Sequence, residues 1–559
     1  MRSLVHGSCA LAVGWTDDRP DAGLFAGDGL AVAFAGALDN LTELAKELQE
    51  SGTFPSSMSP AAVVAAAFRA YGEDAPGRLR GIYSVAVTDG SRLTCFRDHV
   101  GFGTLYYRHD GTGSYVATEA KQVVAGASIP REPDLDVVEK TLFQDLDDQT
   151  PCALRGVQRL PKARTLTIER GRARQRRYWD PEPLLEAARY SWDELQHRFD
   201  HLMGQAVARV MAGSDVVSLS GGIDSPAVAA YAAPEHERLV GGPLGALSVV
   251  YPRLRSVDER AYVETVAEDL GLPLHTYEQR ARPLDRLDYW MGIVDGPVPT
   301  ISLPQYEEHY RRAHELGFRT VLTGELAELV ADSRQYLLPY LLFRGRFSAL
   351  ARQVRARRAA GASLRSLGRQ LLLALSPVPL VALRWHLHRA GIPPWLDARK
   401  VNAPAIRSIV PGRQRWRAIQ LGGLEGPGIS VEAEAICQEI CGIRARRPWA
   451  DVDLWEFFLS LPAEVKFPDN ESKTLVRRLL RGKVPAVILD RRDKTVFDDS
   501  IMANVDYQTL RRWLVRPAHR LAGVDYGLLE DGLERQDLDV SAFMWAKDLA
   551  SVHAFLSQW

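Results

Sequence analysis

Long apolar runs are missing from this chain. No uninterrupted stretch reaches the ~18 residues needed to span a bilayer. The best candidate, Leu371 to Leu383, is short and broken by Ser376, Pro377 and Pro379. The start, Met1-Arg2-Ser3-Leu4, lacks the apolar stretch and cleavage site of a secretory signal. Cysteine is scarce: five in 559 residues, without paired spacing, which argues against a disulfide framework and fits a reducing cytoplasm. Excess charge is absent too. The 69 Lys and Arg offset 70 Asp and Glu, a net charge of -1 that excludes a generally basic nucleic-acid coat or an acidic solvating tail. Internal repeats and low-complexity tracts are also lacking. What is present is the balance of ordinary folded protein, 46% hydrophobic and 25% charged. At roughly 100–200 residues per domain the length suggests two to four domains. Composition thus points to a soluble, cytoplasmic, multidomain protein and leaves its chemistry open.

The first ~180 residues read mostly as short strands: Val32 to Phe34, Tyr83 to Val87 and Ser114 to Ala117 are β-rich runs bounded by Gly, Asp and Asn. Helical spacing appears around Asn40 to Glu50 and Ser59 to Tyr71. After Arg177-Tyr178-Trp179-Asp180-Pro181, long amphipathic segments alternate with short apolar strands, Val216 to Leu219, Ala246 to Val250 and Thr320 to Leu322. That alternation predicts a parallel α/β sheet and a domain boundary near 180–190, giving domains 1–185 and 186–559. From Leu341 to Gln420 there are 16 Arg or Lys residues and one acid, Asp397. This stretch reads either as solvated helix faces or as a basic surface for an anionic partner. Its charge is offset elsewhere, which disfavours nucleic acid. Trp385, Trp395 and Trp416 either line a peptide groove or pack the insertion, and Cys437 and Cys441, four apart on a helix, read as buried rather than metal-binding.

The strongest local signal is Val216-Val217-Ser218-Leu219-Ser220-Gly221-Gly222-Ile223-Asp224-Ser225-Pro226. An apolar strand enters a Ser/Gly turn, and a helix opens through Ala227. Pro226 suits the first helical position and Ser225 can cap free amides. The glycines let backbone approach a ligand, and exposed amides at a helix start favour an anion. Asp224 would repel phosphate unless Mg2+ lay between them. No Gly-Lys-Ser/Thr follows, so this is not the Walker pattern. A tight strand-to-helix connection is the plainer reading of Ser-Gly-Gly alone.

With Asp and Ser in these places, the stretch resembles the loop of ATP pyrophosphatases, which bind the β,γ-phosphates and release pyrophosphate. Thr323-Gly324-Glu325-Leu326-Ala327-Glu328 resembles the Ser-Gly-Glu-Gly-Ser-Asp stretch of asparagine synthetase. Arg446-Arg447-Pro448-Trp449-Ala450-Asp451 and Ser472-Lys473-Thr474-Leu475-Val476-Arg477 are similar to later blocks of that family, as is Asp490 through Phe497. Ala35-Gly36-Ala37-Leu38-Asp39-Asn40 and Arg97-Asp98-His99-Val100-Gly101 are similar to its N-terminal half. The resemblance implies mixed α/β architecture: an N-terminal glutaminase-like, Ntn-type β-sandwich domain, then an ATP-pyrophosphatase-type parallel-sheet synthetase domain with a helical basic insertion at 341–420.

The departures are informative. The family's glutaminase uses a cysteine exposed as the mature N-terminus. Here Arg2 follows Met1, and Cys9 would substitute only if eight residues were removed. The family's Asn-Gly-Glu amide-binding stretch has become Ala35-Gly36-Ala37. An inactive glutaminase domain is therefore expected, with the nucleophilic amine arriving on the substrate. β-Lactam synthetases share that change but place Tyr where Glu325 stands. Leu454-Trp455-Glu456-Phe457 through Phe467-Pro468-Asp469, and Arg491-Arg492-Asp493-Lys494-Thr495-Val496-Phe497-Asp498, resemble the C-terminal blocks of lasso peptide cyclases. The Arg-rich insertion also suits an enzyme that holds a peptide.

This resemblance implies ATP and Mg2+, with a leader-free core peptide as substrate and a leader peptidase and leader-recognition protein as partners. Membrane association is open but not indicated. Ser220, Gly221, Gly222 and Ser225 would hold pyrophosphate, and Ser218, Val249 and Gly324 would complete the nucleotide contacts. Asp224 and Glu328 would position Mg2+, Glu328 standing where the family usually has Asp. Lys473 would stabilise departing pyrophosphate, or is a solvated helix lysine. Lys494 would stabilise the acyl-transfer intermediate. Glu325 would serve as base for the attacking ammonium, or hydrogen-bond the loop backbone. A small-molecule amide synthetase and a non-catalytic nucleotide-binding scaffold are the competing readings.

Overall fold

The computed structural model describes residues 2–14, 22–144, 150–297, 302–332, 334, 336–387, 391–401, 410, 412–422, 429–469, 471–492, 495 and 498–559. In chain order the N-terminal strands are β1 (Arg2–His6), β2 (Cys9–Val13), β3 (Ala22–Gly27), β4 (Leu30–Leu38), β5 (Gly81–Thr88) and β6 (Arg92–Arg97). They continue with β7 (Tyr106–Asp110), β8 (Gly113–Ala117), β9 (Gln158–Arg159), β10 (Arg164–Glu169) and β11 (Arg172–Arg177). A six-stranded antiparallel sheet runs β11-β10-β6-β5-β4-β3, and a three-stranded one runs β8-β7-β9. Between them Cys95, Leu105, Tyr107, Leu160, Leu166 and Ile168 form a buried layer, as expected of two stacked sheets. Helices Leu41–Glu50 and Pro60–Tyr71 supply the other core. The small side chains Ala61, Ala62, Ala65, Ala66 and Ala67 are all buried, so the second helix lies close on the sheet. Ser59 caps that helix by accepting from the Ala62 amide at 3.3 Å.

The second part is built on five parallel strands: β12 (Asp215–Ser218), β13 (Gly245–Val250), β14 (Leu274–Glu278), β15 (Thr320–Leu322) and β16 (Arg444–Arg446). Their order is β14-β13-β12-β15-β16. Val216, Val217, Ala246, Leu247, Val321 and Leu322 are fully buried, the apolar run a doubly covered parallel sheet requires. The chain goes to one side of β12 for β13 and to the other for β15. A crevice for ligands therefore opens beyond the C-terminal end of β12. Between β15 and β16 lie helices Leu337–Phe343, Phe347–Ala359, Leu364–Leu375, Val378–Leu387 and Gly412–Gly422, so the basic stretch is mostly helical, with turns and a bridge from Leu396 to Val524 over 391–401. The apolar run from Leu371 is divided between two of them at Ser376-Pro377. No helix among the described residues is long and apolar enough to cross a membrane.

The two parts share cores. Val100, Phe102 and Trp179 pack with Phe199, Val217 and Trp449. Buried charges also tie them together. Arg209 reaches Glu43 at 2.6 Å and Asp451 and Asp453 at 2.8 Å each, and Arg80 reaches Asp453 at 2.9 Å. Arg446 pairs with Asp39, and Arg159 pairs with Glu432.

Candidate active site

The loop after β12 sits at the crevice, and its local order differs from expectation in two respects. The helix begins at Asp224, two residues before Pro226, which is therefore not the first helical residue. Ser225 does not cap the helix. Its hydroxyl turns back instead, accepting from the Ser220 amide at 2.9 Å and meeting the Ser220 hydroxyl at 3.0 Å. The Ser220 amide, five residues back along the turn, takes the hydroxyl that a helix cap would have used. Ser220 Oγ also accepts weakly from the Gly222 amide at 3.4 Å.

Gly324 is required by close approach of backbone, and Gly221 is crowded by the Arg491 side chain. A Cβ on Gly324 would lie 2.4 Å from the Ser225 nitrogen, and one on Gly221 would lie 2.8 Å from an Arg491 nitrogen. The Gly221 amide donates to Glu259 Oε2 at 2.9 Å, so one loop amide already faces an anionic group. Arg491 braces that corner, donating to the Gly221 carbonyl at 2.9 Å and to Glu259 Oε1 at 2.8 Å over the Tyr262 ring. Ser218 ends β12, and Val249 lies half-buried near the end of β13.

Asp224 stands at the start of the helix after β12, and Lys473 Nζ donates to its Oδ2. Its Oδ1 is buried without a hydrogen-bond partner. Burial raises the Asp224 carboxyl above its ordinary value, Lys473 opposes this, and the charges of Glu328 and Asp332 add to the rise. An orphaned carboxylate oxygen among like charges is what a hard divalent cation would relieve, so Asp224 and Glu328 fit Mg2+. Among the described residues no group of three or more His, Cys, Asp or Glu is arranged to hold a metal unaided. That suits Mg2+, which commonly takes one or two carboxylates and completes its shell with phosphate and water. Lys473 is not a solvated helix lysine. It is buried and holds φ 54, immediately before helix Thr474–Leu479. Leu326, with φ 73, holds a similar left-handed position before helix Ala327–Ala331. Two non-glycine residues in that region beside one crevice mark a site whose surroundings over-determine the backbone.

Glu325 stands at the end of β15, where Arg447 Nε donates to its Oε2 at 2.6 Å and the Tyr306 hydroxyl to its Oε1 at 3.2 Å. The same guanidinium holds Glu434, which also accepts from Tyr310 at 2.5 Å. Burial pushes the Glu325 carboxyl up, but Arg447 and the hydroxyls of Tyr306 and Thr323 outweigh it and hold it below its ordinary value. Glu434 goes the other way: burial and the Glu325 charge raise it despite Arg447. The loop backbone is held elsewhere, by Trp449, whose indole N–H donates to the Asp224 carbonyl at 3.2 Å.

The structure thus gathers Ser218, Ser220, Gly221, Gly222, Asp224, Ser225, Gly324, Glu325, Glu328 and Lys473 around the C-terminal edge of the sheet. Lys494, with Asp493, Val496 and Phe497, lies outside the described residues. Glu259, Asp332, Glu434 and Tyr306 had no signal in the sequence, being brought in from separate loops and helices. Arg447 and Arg491 stood within recognisable blocks without a role. At the N-terminal half, Gly36 holds φ 115, and a Cβ there would lie 2.1 Å from the Ile82 carbonyl oxygen. The glycine is therefore needed where β4 pairs with β5, and Ala35 and Ala37 beside it carry no polar group. Trp416 stacks on Tyr340 at 4.6 Å between centroids and packs the insertion, while Cys437 and Cys441 are buried.

Comparison with known proteins accords with this arrangement. Residues 198–550 match the family model for asparagine synthase, and residues 5–179 match that for a glutamine amidotransferase domain. Fold and site define a ligase with an amidotransferase-type domain in front of an ATP-using amide-forming one. The chain belongs to the asparagine synthase family. It is 24% identical over 496 residues to asparagine synthetase [glutamine-hydrolyzing] 3 of Bacillus subtilis, covering 85% of this chain and 76% of that one. A putative asparagine synthetase of Mycobacterium bovis is 25% identical over 517 residues, covering 83% and 74% respectively. Among solved structures, glutamine phosphoribosylpyrophosphate amidotransferase from B. subtilis matches at 16% identity and a TM-score of 0.20, over 54% of this chain and 63% of that one.

Proposed function

We propose that the protein is a lasso peptide cyclase. It activates an Asp or Glu side-chain carboxylate of a leader-free precursor peptide with ATP and joins it to the peptide's N-terminal amine. A carboxylate oxygen attacks the α-phosphate and pyrophosphate leaves; the amine then attacks the acyl carbon, releasing AMP and one proton. The observation that carries the reading is an asymmetry between the two halves. The nucleotide loop keeps its Ser-Gly-Gly-Ile-Asp-Ser order with Lys473 on Asp224, whereas Ala35 and Ala37 replace both polar groups that would meet glutamine. An amide-forming enzyme without those groups must receive its amine on the substrate. The C-terminal likeness to lasso peptide cyclases supports a peptide as that substrate.

The loop amides and the hydroxyls of Ser220 and Ser225 bind the phosphates, and Lys473 balances the charge of departing pyrophosphate. Mg2+ at Asp224 and Glu328 would neutralise triphosphate charge. Glu325, kept ionised by Arg447, accepts the proton of the incoming ammonium. Lys494 offsets negative charge on the acyl carbon's oxygen. Holding amine and activated acyl group together lowers the barrier by up to ~7–11 kcal/mol in ideal geometry. A leader peptidase and a leader-recognition protein would deliver the core peptide. Incubation with ATP, Mg2+ and candidate core peptides tests the reading. Loss of one water in peptide mass with AMP formed is expected; AMP formed only with a small β-amino acid, or only with free ammonia, would overturn it.

A further inference from the structure

Two sets of cations in the basic insertion differ in what they touch. At its base they are neutralised by the body: Arg346 pairs with Glu464, Arg417 with Glu182 and Lys400 with Glu139. On the outer helices Arg352, Arg355, Arg358, Arg365, Arg369 and Arg384 form no ion pair with any described residue. No acid occurs between Leu341 and Leu396 to offset them.

Large aliphatic side chains stand exposed beside these cations. Leu372 is 68% exposed and Leu364 62%, with Leu375, Leu380 and Leu383 each more than half exposed. On helix Leu364–Leu375, at about 100° per residue, Leu364, Leu372 and Leu375 fall within an arc of about 80° and Arg365 and Arg369 border it. Leu367 and Ala374 face the protein. The apolar exposure is therefore additional to the face the helix buries. Helix Val378–Leu387 repeats the pattern with Leu380 and Leu383 beside Arg384. Helix Phe347–Ala359 presents Phe347, 65% exposed, with Arg355 and Arg358. Helix Leu364–Leu375 is tied to its neighbours by two hydrogen bonds, from Arg357 to Gln370 Oε1 at 3.3 Å and from the Tyr336 hydroxyl to the Ala374 carbonyl at 3.3 Å.

We propose that the exposed helix faces within residues 347–384 dock on an anionic lipid bilayer, their leucines entering the headgroup–acyl boundary and their arginines meeting lipid phosphates. Charge complementarity selects the occupant. An acidic peptide would satisfy the arginines yet leave protruding leucines in water, and a neutral apolar partner would strand the arginines. A phosphate-bearing interface meets both, since guanidinium groups bind phosphate in pairs of hydrogen bonds while their stems lie along apolar surface. No span is involved, and the crevice beyond β12 plays no part.

The test is co-sedimentation of the full chain with vesicles of phosphatidylcholine alone or mixed with phosphatidylglycerol. Binding is expected only to the phosphatidylglycerol vesicles and should weaken with added salt. Arg365→Gln with Arg369→Gln should lower partitioning about fivefold per arginine, from about 1 kcal/mol each. Leu372→Gln with Leu375→Gln should lower it at unchanged charge. Circular dichroism, and AMP formation without vesicles, check that both variants fold. Equal sedimentation with the two vesicle types, or none with either, overturns the proposal, as does tight binding of polyglutamate unaffected by the leucine substitutions. None of these outcomes bears on amide formation, which is measured without lipid.

Discussion

Arg447 Nε donates to Glu325 Oε2 over 2.6 Å, from a guanidinium that is itself buried and shared with Glu434. The chain separates the partners by 122 positions, yet the pairing sets the state of the carboxylate beside the nucleotide loop. A Glu held below its ordinary value stays ionised across the neutral range. In single-turnover acyl transfer, Glu325 should therefore give no acid limb between pH 5 and 7. Arg447→Gln removes the group that lowers Glu325 and leaves burial, which raises it. The acid limb should then move up into the measured range, and a profile unchanged by the substitution would remove Arg447 from this role.

The Asp224–Lys473 pair carries a second expectation. Asp224→Ala should abolish AMP formation. Lys473→Met should reduce it by about 10²–10³-fold, the effect of deleting one preorganised donor, while nucleotide binding measured by calorimetry changes far less. Equal losses in binding and turnover would mean that Lys473 only shapes the loop.

Lys466 offers a test of stability. Burial brings its ammonium down to about 8, with Glu186 opposing, and Nζ donates to Gln420 Oε1 at 2.8 Å. The unfolded chain keeps that proton up to roughly pH 10.4. Between pH 8 and 10 the unfolded state thus binds more protons, so stability contributed by this lysine rises with pH and is lost as pH falls. Lys466→Met should accordingly stabilise the fold by about 1–3 kcal/mol at pH 7 in urea unfolding, with the gain shrinking as pH approaches 10. Destabilisation at pH 7 would show that the bond to Gln420 outweighs desolvation.

Arg209 joins the two halves through Glu43, Asp451 and Asp453. Its removal leaves Asp451 and Asp453 close together with Arg80 as their remaining partner. Arg209→Ala should cost about 3–5 kcal/mol, the usual loss when one member of a buried ion pair is deleted. A melting temperature within a degree or two of the wild type would place that network among surface pairs of little weight.

Much of this was legible in the chain because local rules and tertiary needs agreed. Val216 and Val217 are apolar on both faces, as a central parallel strand demands, and Ser220-Gly221-Gly222 can only be a turn. The position of Ser225 was not legible. Pro226 signals a helix start, but that preference is weaker than the hydroxyl's chance to hold Ser220. Nor were Glu434, Tyr306 and Glu259, whose partners are set by packing of distant helices and by no spacing rule. The exposure of Leu364, Leu372 and Leu375 had no signal in the sequence either, since it depends on which side of helix Leu364–Leu375 packs against the protein.

The most direct measurement follows oxygen. A core peptide carrying ¹⁸O in the side-chain carboxylate should, on cyclisation with ATP, transfer one labelled oxygen to the phosphate of AMP. Unlabelled AMP, or labelled inorganic phosphate with ADP, would contradict activation by attack on the α-phosphate.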